Sequence, residues 1–151
     1  MTTYAKNTKV STERSKGEIE RTIVRFGAEQ YLSGYGNGMG YIAFIYNGRA
    51  IRITVALPDK DDFRRTPGGR RARSEADTQR AWEQGCREQW RSLALLVKAK
   101  LVAITNGHAS FEKEFLAYTM LPEGRTVHDW LEPQIVTMLE SGEMPRALLP
   151  G

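Results

Sequence analysis

The stretch YIAFIYNGRAIRITVAL, residues 41–57, admits few readings. Asn47-Gly48 supplies two adjacent residues able to hold positive φ, as the type I′ turn of a two-residue hairpin requires, and apolar residues alternate on both sides of it. A two-residue loop fixes the register. Tyr46 then faces Arg49, Phe44 faces Ile51 and Ile42 faces Ile53. These pairs share one face with Val55 and Leu57, and that face must be buried. The other face pairs Ala43 with Arg52 and Tyr41 with Thr54, and stays partly wet. Residues 30–35 read as a further strand, joined through the glycine-rich residues 36–40. A small sheet with one apolar face is not stable alone and needs helices to cover it.

Helical patterns flank the hairpin. Before it, Ser15 and Glu18 fit a capping box, with Ser11 as a competing start one turn earlier. Ile19, Ile23 and Phe26 fall on one helix face, and Gly27 suits the left-handed C′ position. After it, Ser74 opens a pattern in which Trp82, Cys86, Trp90, Leu93, Val97, Leu101 and Ile104 keep one stripe inward. That predicts about thirty residues, roughly 45 Å of helix, stopping at Asn106-Gly107. A short helix carries Phe111 and Phe115. Thr126 caps the last one, whose apolar set is Val127, Trp130, Leu131, Ile135 and Met138, with Pro133 starting a second segment or kinking the first.

The expected fold is therefore α+β: an N-terminal helix, a two- to three-stranded antiparallel meander, a long helix packed on one sheet face, and two short C-terminal helices. Residues 1–10 read as a flexible arm, 11–144 as one domain containing a mobile basic loop at 63–74, and 145–151 as a tail in which Leu148 and Leu149 could dock.

Charge is unevenly distributed along the chain. Of the net +4, residues 1–62 carry +2, residues 63–100 carry +6 and residues 101–151 carry −4. Such a concentration favours an anionic partner for the middle of the chain. Arg64, Arg65, Arg70, Arg71 and Arg73 surround Pro67-Gly68-Gly69. On the long helix, Arg80, Arg87, Arg91 and Lys98 fall within about 40° of one another at 100° per residue, with no acidic residue of that helix inside the wedge. The row sits about 120° from the apolar centre, which predicts a solvent-facing stripe continuous with the loop. A guanidinium fork holds two phosphate oxygens and stays charged. Tyr31, Tyr35 and Tyr41, placed on the wetter sheet face near Arg49 and Arg52, would add a stacking platform for a single strand.

Other chemistries find less support. Cys86 is the only cysteine, so an intrachain disulfide and a cysteine-based zinc site are excluded, and its place on the apolar stripe suits a buried thiol. His108 and His128 each sit beside a turn or helix start, and His128-Asp129 adjacency makes no triad. Asp59 with Glu112-Lys113 lacks the strand context of a metal nuclease, and Asp59, Asp61 and Asp62 read as solvating a strand end. The glycines of residues 34–40 do not open a helix, so a dinucleotide fingerprint fails. No run reaches the roughly 20 apolar residues of a membrane span, and no cofactor motif stands out.

Three stretches carry a resemblance: MTTYAKNTKVSTERSKGEIERTIVRFGA at the start, WRSLALLVKAKLVAITNG on the long helix and FEKEFLAYTMLPEGRTV after it. Together they resemble a family of small uncharacterised proteins of tailed phages and prophages. The resemblance implies the cytoplasm of a bacterial host and a role in phage DNA metabolism or in interference with a host system. The element order is also similar to that of double-stranded-RNA-binding domains and of strand-annealing proteins with a β-β-β-α core, a likeness of topology alone. The expected function is non-enzymatic binding of nucleic acid, DNA ahead of RNA, as an accessory factor in recombination or replication. The alternative is a host-interaction or anti-defence protein that binds a host protein. A third reading is an assembly protein that oligomerises through the long helix, which burial of the apolar stripe against the sheet does not require.

Overall fold

A computed structural model of the chain describes residues 5–143. Residues 1–4 of the arm and the expected tail, with Leu148 and Leu149, lie outside the described residues. Helix α1 (Thr12–Phe26) leads into strands β1 (Gln30–Gly36), β2 (Met39–Tyr46) and β3 (Arg49–Ala56), then the long α2 (Glu75–Thr105), a single turn α3 (Phe111–Glu114) and α4 (Val127–Ser141). The sheet is an antiparallel meander in the order β1-β2-β3. The fold class is the α+β arrangement the pattern predicts.

The β2–β3 register matches the turn chemistry, with Phe44 opposite Ile51 and Ile42 opposite Ile53. Asn47 and Gly48 adopt φ of 51° and 71°. The β1–β2 connection repeats the same device rather than forming a five-residue loop. Asn37 (φ 53°) and Gly38 (φ 73°) make a second two-residue turn, and Gly36 pairs directly with Met39. Two Asn-Gly turns therefore set the whole sheet.

Helices α1 and α2 cover the apolar face. Ile19 and Ile23 from α1 meet Ile42, Phe44, Ile51 and Ile53 of the sheet and Trp90, Leu93, Val97 and Leu101 of α2, all buried. Trp90 comes so close to the sheet that a Cβ on Gly40 would lie 2.5 Å from its ring, so only glycine fits there. Phe111 and Phe115 close one end, packing against Phe44, Phe26 and Tyr46, mostly edge-on or tilted, at centroid separations of 4.7–6.4 Å. Beyond them, Met120 donates its N–H to Ala50 O and Thr119 bridges to Ile51, which covers part of the β3 edge.

The caps decide the helix boundaries. Ser74 accepts from the Asp77 N–H and Thr126 from Asp129, as expected, and Ser110 caps the short helix by accepting from the Lys113 N–H. For α1 the cap is Ser11, which accepts from Arg14 N–H, and Ser15 is fully buried inside the helix. The earlier start prevails because it lets α1 gain another turn of packing against α2. The arm differs from expectation too. Ala5 is buried, the Asn7 N–H donates to Glu88 Oε1 at 2.9 Å, and Gln84 Nε2 donates to Thr8 O at 2.8 Å. Residues 5–10 are thus tied to α2. Pro133 lies inside a continuous α4, which buries no residue fully. No helix among the described residues is long and apolar enough to cross a membrane.

Candidate nucleic-acid interface

The basic loop has an architecture of its own. Asp59 caps a 3₁₀ turn over Lys60–Phe63, and a second such turn spans Pro67–Gly69, where Gly68 and Gly69 take φ of 82° and 70°. Thr66 N–H donates to Arg71 O, Arg73 N–H donates to Arg64 O, and Arg65 bridges to Ala72. The expected mobile linker is thus a small hydrogen-bonded hairpin.

Three of its five arginines build that hairpin. Arg73 Nη1 donates to Phe63 O at 3.0 Å and to Arg65 O at 2.9 Å, and Arg65 Nε donates to Gly69 O at 2.9 Å. Arg64 holds Asp61 at 2.6 Å and Glu75 at 3.1 Å, while Lys60 reaches the same Glu75 at 2.6 Å. Lys60 and then Arg64 hold the Glu75 carboxyl below its ordinary range. Only Arg70 and Arg71 are exposed without such a role, and neither has a carboxylate partner among the described residues.

The row on α2 is also less free than a single-helix projection implies. Arg80 is exposed and paired with Asp77, one turn earlier. Arg87 lays its fork on Gln84 Oε1, with Nε at 2.9 Å and Nη2 at 2.6 Å. Arg91 pairs with Glu18 of α1, and its side chain is only 22% exposed. Lys98 is exposed and has no carboxylate partner among the described residues. The expected solvent-facing stripe is corrected here: α1 runs alongside it, so the row borders a seam between two helices.

Across that seam lies a basic row that the sequence reading missed. Arg14, Arg21 and Arg25 are seven and four residues apart on α1, which places them within about 40° of one another. Arg21 and Arg25 join Lys98 around a cleft of about 520 Å³, floored by Phe26, Ala94 and Leu101. Arg21 and Arg25, like Lys98, have no carboxylate partner among the described residues. Glu18 also lines the cleft, with its charge balanced by Arg91. The signal was present: the same angular count applied to α2 finds the α1 arginines.

The tyrosines do not form a platform. Tyr31 pairs with Phe44 and Tyr35 with Gly40, which puts both on the inner face of the sheet, whereas Tyr41 pairs with Gly34 and lies on the outer face. Tyr31 packs against the core, and burial pushes its phenol up to about 12. Tyr35 is 66% exposed at the strand end, and the Tyr41 ring lies over Gly34, where a Cβ would be 2.2 Å from its hydroxyl. The direct β1–β2 turn fixes this parity.

Cys86 is half-buried, and burial, then Glu83, pushes its thiol up, which disfavours the reactive thiolate. His128 is exposed at the start of α4, 3.5 Å from Asp129 and 3.9 Å from Glu132. Among the described residues no three His, Cys, Asp or Glu gather in a group that could hold a metal ion. What the α1–α2 seam can do chemically is hold an anion that also carries an apolar part. Comparison with family models, curated proteins and solved structures finds no match for this chain.

Proposed function

We propose that this chain is a non-enzymatic nucleic-acid-binding protein that holds backbone phosphates along the α1–α2 seam. The observation that carries the reading is the cleft itself, where Arg21, Arg25 and Lys98 converge without carboxylate partners among the described residues. The helices that carry these cations are already packed, so binding a strand orders side chains and not backbone, which favours affinity. Arg70 and Arg71 form an outlying contact, and the net +6 of residues 63–100 steers an anion towards both. The resemblance to phage proteins fits DNA ahead of RNA and an accessory role in recombination or replication inside a bacterial host.

Titration of labelled DNA and RNA with the full chain, followed by fluorescence anisotropy, tests this. With Arg21, Arg25, Lys98, Arg70 and Arg71 neutralising about five phosphates, log K falls against log salt with a slope of about −3.5 to −4.5. No binding at micromolar protein in low salt would sink the reading.

One observation favours a second reading, a protein partner. Helix α4 buries none of its residues fully and leaves Val136 and Leu139 44% and 81% exposed. A pull-down from nuclease-treated host lysate separates the two, since a nucleic-acid-bridged partner is lost and a direct one is kept.

A further inference from the structure

We infer that the α1–α2 cleft takes one unpaired nucleotide of a single strand, base inward and phosphate on the rim, an inference that rests on the nucleic-acid reading above. Phosphate binding alone needs only a flat charged surface. Here the cations stand over a cleft of about 520 Å³, within the size range of pockets that enclose small ligands. Apart from Glu18, whose charge Arg91 balances, and Thr22, whose hydroxyl donates to Glu18 O, its lining falls into three zones that match the parts of a nucleotide.

The first zone is cationic: Arg21 and Arg25 from α1 and Lys98 from α2. The second zone is apolar: Phe26, which packs against Tyr46 at 4.7 Å and Phe111 at 6.2 Å, lines the cleft with Ala94, Leu101 and Val102. A ring fixed by its neighbours offers a base an apolar contact, and such contact tolerates any base. The third zone is uncharged and hydrogen-bonding. Thr105 and Asn106 close the cleft where α2 ends, and the Asn106 amide offers both donor and acceptor to a base edge. Lys98 and Asn106 are eight residues apart, about 12 Å along the axis, comparable to the span of a nucleotide from phosphate to far base edge.

The geometry selects among anions. A sulfate or a lone phosphate leaves the floor uncovered. In a duplex the bases are stacked inside, and reaching the floor requires flipping one out at a cost of a few kcal/mol. A single strand offers its bases without that cost. The chain should therefore prefer single strands, and the preference should come from the bases rather than from the charge.

The test uses the full chain with three labelled ligands of equal length at one salt concentration: a normal single strand, a strand with abasic sites, and a duplex. The normal strand is expected to bind about tenfold more tightly than the abasic strand, and more tightly than the duplex. Equal affinity for normal and abasic strands overturns the inference while leaving phosphate binding intact. Binding to none of the three overturns both. A free nucleoside monophosphate binding as tightly as the strand would also overturn it, by making the cleft a site for a free nucleotide. Val102 stands at the cleft, 47% exposed, with room outward for a larger side chain. Val102→Trp should block the base and remove the tenfold gain, while unchanged thermal unfolding shows the fold is kept. A Val102→Trp chain that binds the normal strand as tightly as wild type would count against the inference, and the abasic comparison decides independently of this variant.

Discussion

The loop at residues 63–74 and the α1–α2 seam are both rich in arginine, yet they use it in opposite ways. In the loop, Arg64, Arg65 and Arg73 bind carboxylates or carbonyls of their own neighbourhood. At the seam, Arg21, Arg25 and Lys98 surround a cleft and have no carboxylate partner among the described residues. A guanidinium already bonded within the fold must break those bonds to bind a phosphate, so its net contribution is small. An unbonded one on a rigid helix contributes most of its interaction. Local availability, rather than the count of arginines, is what separates the two regions.

The largest expected effect follows from that difference. Arg21→Glu with Arg25→Glu should weaken binding on the order of 100-fold, as two charge-assisted bonds are lost and replaced by repulsion. Anisotropy titration at fixed salt measures it, and a loss below about threefold would reverse the ranking of the two regions. Next comes stability. Arg73→Ala removes both bonds to the Phe63 and Arg65 carbonyls, which should cost about 1–2 kcal/mol in urea unfolding. Arg70→Ala should stay within about 0.5 kcal/mol. Equal effects would mean that the loop hairpin does not depend on Arg73.

Binding should show the converse pattern. Arg70→Ala with Arg71→Ala should weaken binding only about fivefold and reduce the salt slope by about 2, one for each contact. Removing a carboxylate from the seam should act in the opposite sense. Glu18→Gln releases Arg91, so affinity at low salt should rise about threefold, at a stability cost of about 1–3 kcal/mol because the pair is partly buried.

The sequence made some of this visible because the relevant physics is local. Asn47-Gly48 sets a turn, the turn sets a register, and Phe44 meets Ile51 as the pairing rule requires. Ser74 and Thr126 cap their helices through bonds reaching only three residues on. Elsewhere the outcome depends on partners distant in the chain. Ser11 and Ser15 are equally good caps in isolation, and packing against α2 chooses between them. The tyrosine faces turn on whether Gly36 pairs with Met39 or starts a loop, a difference that flips the whole strand. Arg91 looks free of acid until Glu18 arrives from a helix 73 residues away in sequence. The cleft belongs to two helices at once, so neither helix taken alone discloses it.

Acid offers the smallest effect and separates the two regions in another way. Lys60 and Arg64 lower the Glu75 carboxyl, and Arg80, with Ser74, lowers that of Asp77. A carboxyl lowered in the folded state adds stability above its ordinary value and loses that contribution as pH falls through the lower folded value. Both groups are fully exposed, so the effect on global unfolding is slight and the local one is the measurable quantity. Carboxyl carbon NMR should place the midpoints of Glu75 and Asp77 below ordinary values, with amide exchange across residues 60–75 rising as they protonate. Arg64→Ala should move the Glu75 midpoint upward only part of the way, because Lys60 is its leading partner. The Asp129 midpoint, lowered first by the Thr126 cap and then by His128, should not move. A Glu75 midpoint indifferent to Arg64 would free that arginine from the loop's architecture and return it to the pool available for phosphate.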